Sequence, residues 1–131
     1  MNALDGLDLD PGSFAWRDIQ GQDSWTNFDP VFGSLTVVGT PSYSGRYRFV
    51  GRQAFFEVQF SASTSIASAA GTDYLTLPFT AKGLSGHAVM DNETSNVAVG
   101  NCKIKVSTSR CYLPAQAASG NVFNLAGWCE V

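Results

Sequence analysis

From residue 34 onward, apolar and polar positions alternate with a period of two, broken at short intervals by turn-forming residues. In the run Ala54 to Phe60, the residues Ala54, Phe56, Val58 and Phe60 fall on one side, and Phe55, Glu57 and Gln59 on the other. Successive side chains of a strand point to opposite faces, so this run predicts a strand with one face in a core. The same alternation sets Tyr43, Gly45, Tyr47 and Phe49 against Ser44, Arg46 and Arg48, and Cys102, Ile104 and Val106 against Lys103 and Lys105. It recurs in Leu75, Leu77 and Phe79, in Val97 and Val99, and in Phe123, Leu125, Gly127 and Cys129. Turn formers separate these runs at Gly39 to Pro41, Gly51, Ala70 to Asp73, Lys82 to Gly86, Asp91 to Glu93, Gly100 to Asn101, Ser107 to Ser109 and Ser119 to Asn121. No apolar stripe at helical spacing exceeds one turn, and Ser61 to Ala70 reads as either one helical turn or a loop. Short strands without intervening helices predict an all-β fold, an antiparallel β-sandwich or jelly roll of about eight strands.

The first 22 residues break the pattern. They carry scattered apolar residues (Leu4, Leu7, Leu9, Phe14 and Trp16) among Pro11, Gly12 and Gly21, with no sustained period. Residues 1–22 therefore read as an extended N-terminal arm and residues 23–131 as the sandwich. Large apolar side chains on an arm favour docking on a neighbouring subunit or a larger assembly, which makes these five residues the docking candidates.

Composition narrows the function. The chain has 131 residues, the size of one domain, with 44% hydrophobic and only 15% charged residues, which excludes a disordered chain. A formal net charge of −3 opposes a protein that lives on phosphate backbones, so no nucleic-acid partner is expected. Six of the eleven acidic residues lie in the first 29 positions, and the acidic start does not resemble a basic signal-peptide region. No stretch approaches a membrane span, and a soluble, cytoplasmically made chain with no membrane insertion is expected. Cys102, Cys111 and Cys129 lack metal-site spacing and read as small buried hydrophobes; the alternative is that Cys102 and Cys111 face each other across a hairpin.

Catalytic chemistry finds little support. His87 is the single histidine, without an evident partner. Gly83-Leu84-Ser85-Gly86-His87 places His87 where a nucleophile elbow needs glycine. The carboxylate pairs Asp8 with Asp10 and Asp91 with Glu93 read as solvated turns, and Asn92-Glu93-Thr94 is a formal glycosylation acceptor. No catalytic residue, metal or cofactor is expected. What remains is a set of aromatic residues on a low-charge surface, with Arg46, Arg48 and Arg52 as a basic cluster. Sugar rings stack their C–H faces on flat aromatic side chains, so Trp25, Tyr43, Arg46, Arg48, Tyr74 and His87 are the candidate glycan or partner contacts.

Trp25-Thr26, Gly39-Thr40, the run Gly45-Arg46-Tyr47-Arg48-Phe49-Val50-Gly51-Arg52-Gln53-Ala54-Phe55-Phe56-Glu57-Val58 and Leu75-Thr76-Leu77-Pro78-Phe79 together resemble small β-sandwich domains of bacteriophage virion proteins. Such domains occur near the C-termini of tail fibres and tailspikes. The Tyr47-x-x-x-Gly51 and Leu77-Pro78-Phe79 elements match that pattern, whereas its Trp-x-Pro element is absent, Pro30 being the first proline after Trp25. The resemblance implies a jelly-roll-like homotrimer on the outside of a virion, contacting other virion proteins and a host-surface glycan. It implies no catalytic residues. Tail-fibre tip, capsid decoration or head-fibre protein docking through its arm, and stand-alone carbohydrate-binding module remain open as roles.

Overall fold

A computed structural model describes residues 24–83 and 86–131. The arm, with Leu4, Leu7, Leu9, Phe14 and Trp16, lies outside the described residues, as do Asp8, Asp10, Leu84 and Ser85. The described chain is all-β and antiparallel, with twelve strands: β1 (Thr26–Phe28), β2 (Val31–Gly33), β3 (Thr36–Val38), β4 (Pro41–Val50), β5 (Gln53–Ala62), β6 (Ser65–Ser68), β7 (Tyr74–Thr76), β8 (Gly86–Asn92), β9 (Val97–Ile104), β10 (Arg110–Tyr112), β11 (Gln116–Ser119) and β12 (Phe123–Glu130). Nine of them form one sheet in the order β1-β4-β5-β12-β8-β9-β10-β7-β2, and β11-β6-β3 form a small second sheet.

Chain connectivity forces the large sheet to curl. Nine strands laid flat at about 4.8 Å spacing would set its edges roughly 38 Å apart. Yet the edge strands β1 and β2 are joined by Asp29 and Pro30 alone, a link that spans no more than about 11 Å between Phe28 and Val31. The two halves of the sheet therefore face each other as a sandwich, with β9 as the shared strand: Val97 to Cys102 pair with β8 across a bulge, and Lys103 and Ile104 with β10.

The enclosed core confirms the period-two reading of β5, whose Ala54, Phe56, Val58 and Phe60 are all buried. Across the gap they meet Leu75, Leu77, Cys111 and Leu113, and on their own side Met90, Phe123, Leu125 and Cys129. Phe60 stacks on Phe123 (ring centres 5.6 Å, planes 26° apart) and touches Phe32 at 4.9 Å, while Phe79 meets Tyr47, Phe49 and Phe56 at about 6 Å. Each fully buried Phe contributes about 1.5–3 kcal/mol by removal from water, so this aromatic column is a principal support of the sandwich.

Two local expectations are corrected. Gly100 to Asn101 is no turn: Met90 pairs with Gly100 and Asp91 with Ala98, so Val99 is the extra residue of a β-bulge inside one continuous β9. Ser61 to Ala70 holds neither a helical turn nor a plain loop, since Ile66 and Ser68 face inward from β6. Gly51 behaves as expected; at φ +60° it opens the two-residue β4–β5 turn, where a side chain would be strained.

Candidate functional site

The outward side of β1, β4, β5, β12 and β8 brings together residues distant in sequence. Strand register sets Arg48 opposite Phe55, Phe55 opposite Trp128, and Trp128 opposite His87, a single row across four strands. Trp25, just ahead of β1, extends the row, its ring centre 4.4 Å from the Arg46 guanidinium carbon and 4.9 Å from that of Arg48. Arg48 also lies over Phe55 at 5.4 Å. Two residues along, the next row runs Arg46, Glu57, Ala126 and Val89, and the one after it Ser44, Gln59, Asn124 and Asp91.

These rows enclose two adjoining recesses that share Glu57 and Ala126. One, of about 300 Å³, is aromatic, lined by Trp25, Arg48, Phe55, His87 and Trp128. The other, of about 540 Å³, is polar, lined by Asn27, Ser44, Arg46, Glu57, Gln59 and Asn124. The methyl side chain of Ala126 lies between the bulkier Asn124 and Trp128 of the same strand, which opens the depression between the rows.

The polar groups of this face are fixed by one another. Arg46 donates from Nε to Glu57 Oε1 at 2.9 Å and sets Nη2 2.7 Å from the same oxygen. Gln59 donates its amide to Asn124 Oδ1 (3.0 Å), and Asn124 donates in turn to Glu93 Oε1 (2.7 Å). The Arg46–Glu57 pair is about half exposed and adds little stability in water. Its effect is positional: donors and acceptors are held beside a flat apolar strip before any ligand arrives. Under the strip, Gly127 is obligatory, because a Cβ there would run into the His87 carbonyl and sit 2.5 Å from Ala88 Cβ.

Of the six candidate contacts read from the sequence, Trp25, Arg46, Arg48 and His87 meet on this face. Tyr43 does not; it belongs to the inward side of β4, where its ring packs on Phe32 at 5.1 Å and desolvation raises its phenol pKa. Tyr74 lies on the opposite half of the large sheet, against Tyr112 and under Arg110. Phe55, Glu57, Gln59 and Asn124 were missed, and Trp128 was read as an aromatic of either core or contact without being placed among the six. The alternation in β5 marks the first three as outward-facing, but only the insertion of β12 between β5 and β8 shows that Trp128 and Asn124 join them.

The cysteines sit behind the two outward faces. Cys102 and Cys111 lie on neighbouring strands, but Cys111 is paired with Ile104, so the two cysteines are offset diagonally rather than opposite. Their side chains still touch, and all three cysteines are free thiols. Contact with Cys102, then burial, pushes the Cys111 thiol well up; burial alone takes Cys129 to about 11. Such thiols are poor nucleophiles at neutral pH. Among the described residues no group of His, Cys, Asp or Glu is placed to hold a metal ion, and no helix is long and apolar enough to cross a membrane.

Comparison with protein-family models, curated proteins and solved structures finds no match for this chain.

Proposed function

We propose that the protein is a non-catalytic, glycan-binding β-sandwich that presents the β1-β4-β5-β12-β8 face to a host-surface saccharide, as a trimeric virion protein of the tail-fibre tip type. The carrying observation is the aromatic row Trp25, Phe55 and Trp128 beside the prearranged set Arg46, Glu57, Gln59 and Asn124. A pyranose offers an apolar C–H face and a rim of hydroxyls that both donate and accept hydrogen bonds. The aromatic recess suits the first and the amide and carboxylate recess the second. Virion placement and the trimer rest on the resemblance of the Tyr47-x-x-x-Gly51 and Leu77-Pro78-Phe79 elements.

The test is titration of the full chain with neutral oligosaccharides cut from host-type surface polysaccharides, followed calorimetrically, alongside Trp128→Ala and Phe55→Ala. Unchanged melting curves must first show that the variants fold. The expected outcome is binding by the parent chain, weakened about tenfold or more by either substitution, the loss of roughly 1.4 kcal/mol of aromatic contact. Parent-like binding by both folded variants, or no binding by the parent, overturns the assignment of this face. Light scattering on the same material should return three times 14.0 kDa for the trimer.

A further inference from the structure

The opposite half of the large sheet carries a second outward face of different chemistry. Lys103 lies between the buried Cys102 and Ile104 on β9 and Lys105 directly follows the strand, and both are exposed. On β10, Arg110 and Tyr112 flank the buried Cys111 and point the same way. Tyr112 is paired with Lys103, and the Lys105 N–H donates to the Arg110 carbonyl at 3.0 Å, which sets those two cations across from each other. Three of the seven described cations thus gather on β9, the residue after it and β10, although Arg110 is separated from the lysines in sequence by a turn.

Nothing acidic among the described residues answers them. Among the described residues no carboxylate forms an ion pair with Lys103, Lys105 or Arg110; the ion pair there is Arg46 with Glu57, on the other half of the sheet. Asp73, in the turn beside this face, is buried and already engaged, accepting from the Ala69 N–H at 2.8 Å and from the Thr72 hydroxyl. Like charges directly opposite one another on a sheet repel, so the arrangement is relieved by an anion. It is also shaped for one. Arg110 is held flat, its guanidinium carbon 4.3 Å from the Tyr74 ring centre and its Nη1 donating to the Tyr112 hydroxyl at 3.3 Å. Tyr74 in turn lies over Gly33, where any Cβ would collide with its ring. Beside this cluster is a recess of about 660 Å³, lined by Asn101, Lys103, Lys105, Tyr112, Pro114 and Ala70.

We infer that this face is a second binding site, for an anionic group carried on a sugar: a uronic-acid carboxylate or a sugar phosphate. Lysine ammoniums attract either anion as point charges, and the guanidinium on Tyr74 offers a planar donor edge. The Tyr74–Tyr112 pair, with ring centres 5.5 Å apart, supplies the apolar surface that a bare oxyanion would not use. The recess volume also lies in the range of small-molecule sites, about 300–1,000 Å³. This inference does not depend on the glycan reading of the first face.

The experiment titrates the full chain with oligogalacturonate, with its neutral methyl ester and with inorganic phosphate at low ionic strength. The parent is compared with the double variant Lys103→Gln/Lys105→Gln and with Trp128→Ala. Expected is binding of oligogalacturonate at least tenfold tighter than of the ester, lost in the lysine variant and retained in Trp128→Ala. Phosphate binding lost in the lysine variant assigns the phosphate source as well and also supports the site. Acid binding lost in Trp128→Ala and kept in the lysine variant overturns the proposal, moving the anion to Arg46 and Arg48. Equal binding of acid and ester, or binding of neither anion, overturns it too. Circular dichroism of the lysine variant separates loss of binding from loss of fold, and Lys103→Arg/Lys105→Arg should restore the acid preference.

Discussion

The two outward faces of the sandwich share one core yet hold their charges in opposite ways. On the β4-β5-β12 face, Arg46 is matched to Glu57, Arg46 and Arg48 lie against Trp25, and the amides of Gln59 and Asn124 answer each other and Glu93. On the β9-β10-β7 face, Lys103, Lys105 and Arg110 stand together with no carboxylate among the described residues paired to them. Matched groups compete poorly for a free ion but offer ordered donors and acceptors to a neutral ligand. Unmatched cations do the reverse. The contrast teaches that counting basic residues along the chain does not say how each is held: Arg46 and Arg48 cluster in sequence, and the fold pairs Arg46 with Glu57, whereas Arg110 joins Lys103 and Lys105 only through strand pairing.

The comparison is broken most completely from beneath. Phe60 stacks on Phe123 and touches Phe32, linking the sheet halves behind both faces. Phe60→Ala should cost about 3–5 kcal/mol in denaturant unfolding and abolish ligand binding on both sides wherever the variant no longer folds. Salt sharpens the comparison with a smaller effect. Raising the ionic strength from 0.05 to 0.5 M, which cuts the Debye length to about a third, should weaken oligogalacturonate binding severalfold and leave neutral oligosaccharide binding nearly unchanged. Equal salt sensitivity of both ligands would put them on one face.

Alkaline pH gives the mildest effect and touches the floor behind each face. Cys129 lies behind the first and Cys111 behind the second, and both thiols are raised in the folded chain above the ordinary 9.0. The folded state therefore keeps its protons where the unfolded state loses them, and stability falls as pH rises from about 9 to about 11. Melting temperatures across that window should decline in the parent and less steeply in Cys129→Ala. Below pH 8 the two slopes should coincide.

The sandwich was legible because burial on one face imposes a period of two, and β4, β5 and β12 are long enough to display it. The three-residue strands β1, β2, β3 and β10 are too short to carry a period of their own, which is why about eight strands were expected and twelve are described. Gly100 and Asn101 have turn chemistry, but pairing with β8 overrides it and leaves a bulge. Half of the first face was legible from alternation in β4 and β5, since a two-residue turn fixes Arg48 against Phe55. The other half depends on pairings across some 65 positions, such as Gln59 with Asn124, for which a single sequence carries no signal. The same holds for Tyr74, whose neighbours Tyr112 and Arg110 arrive from a distant hairpin.

Strand order also has a consequence for biosynthesis. β12 is the last strand in chain order, but it lies between β5 and β8. Until Phe123–Glu130 has left the ribosome, the hairpin β4-β5 and the hairpin β8-β9 each expose an unpaired inner edge, and the aromatic column lacks Phe123. Nascent chains must keep these apolar edges apart from one another until β12 emerges, so termination before Phe123 releases a sticky fragment instead of a smaller domain. Closure by a late central strand makes the contacts long-range in sequence, and slow, all-or-none folding after synthesis is the expected kinetic signature.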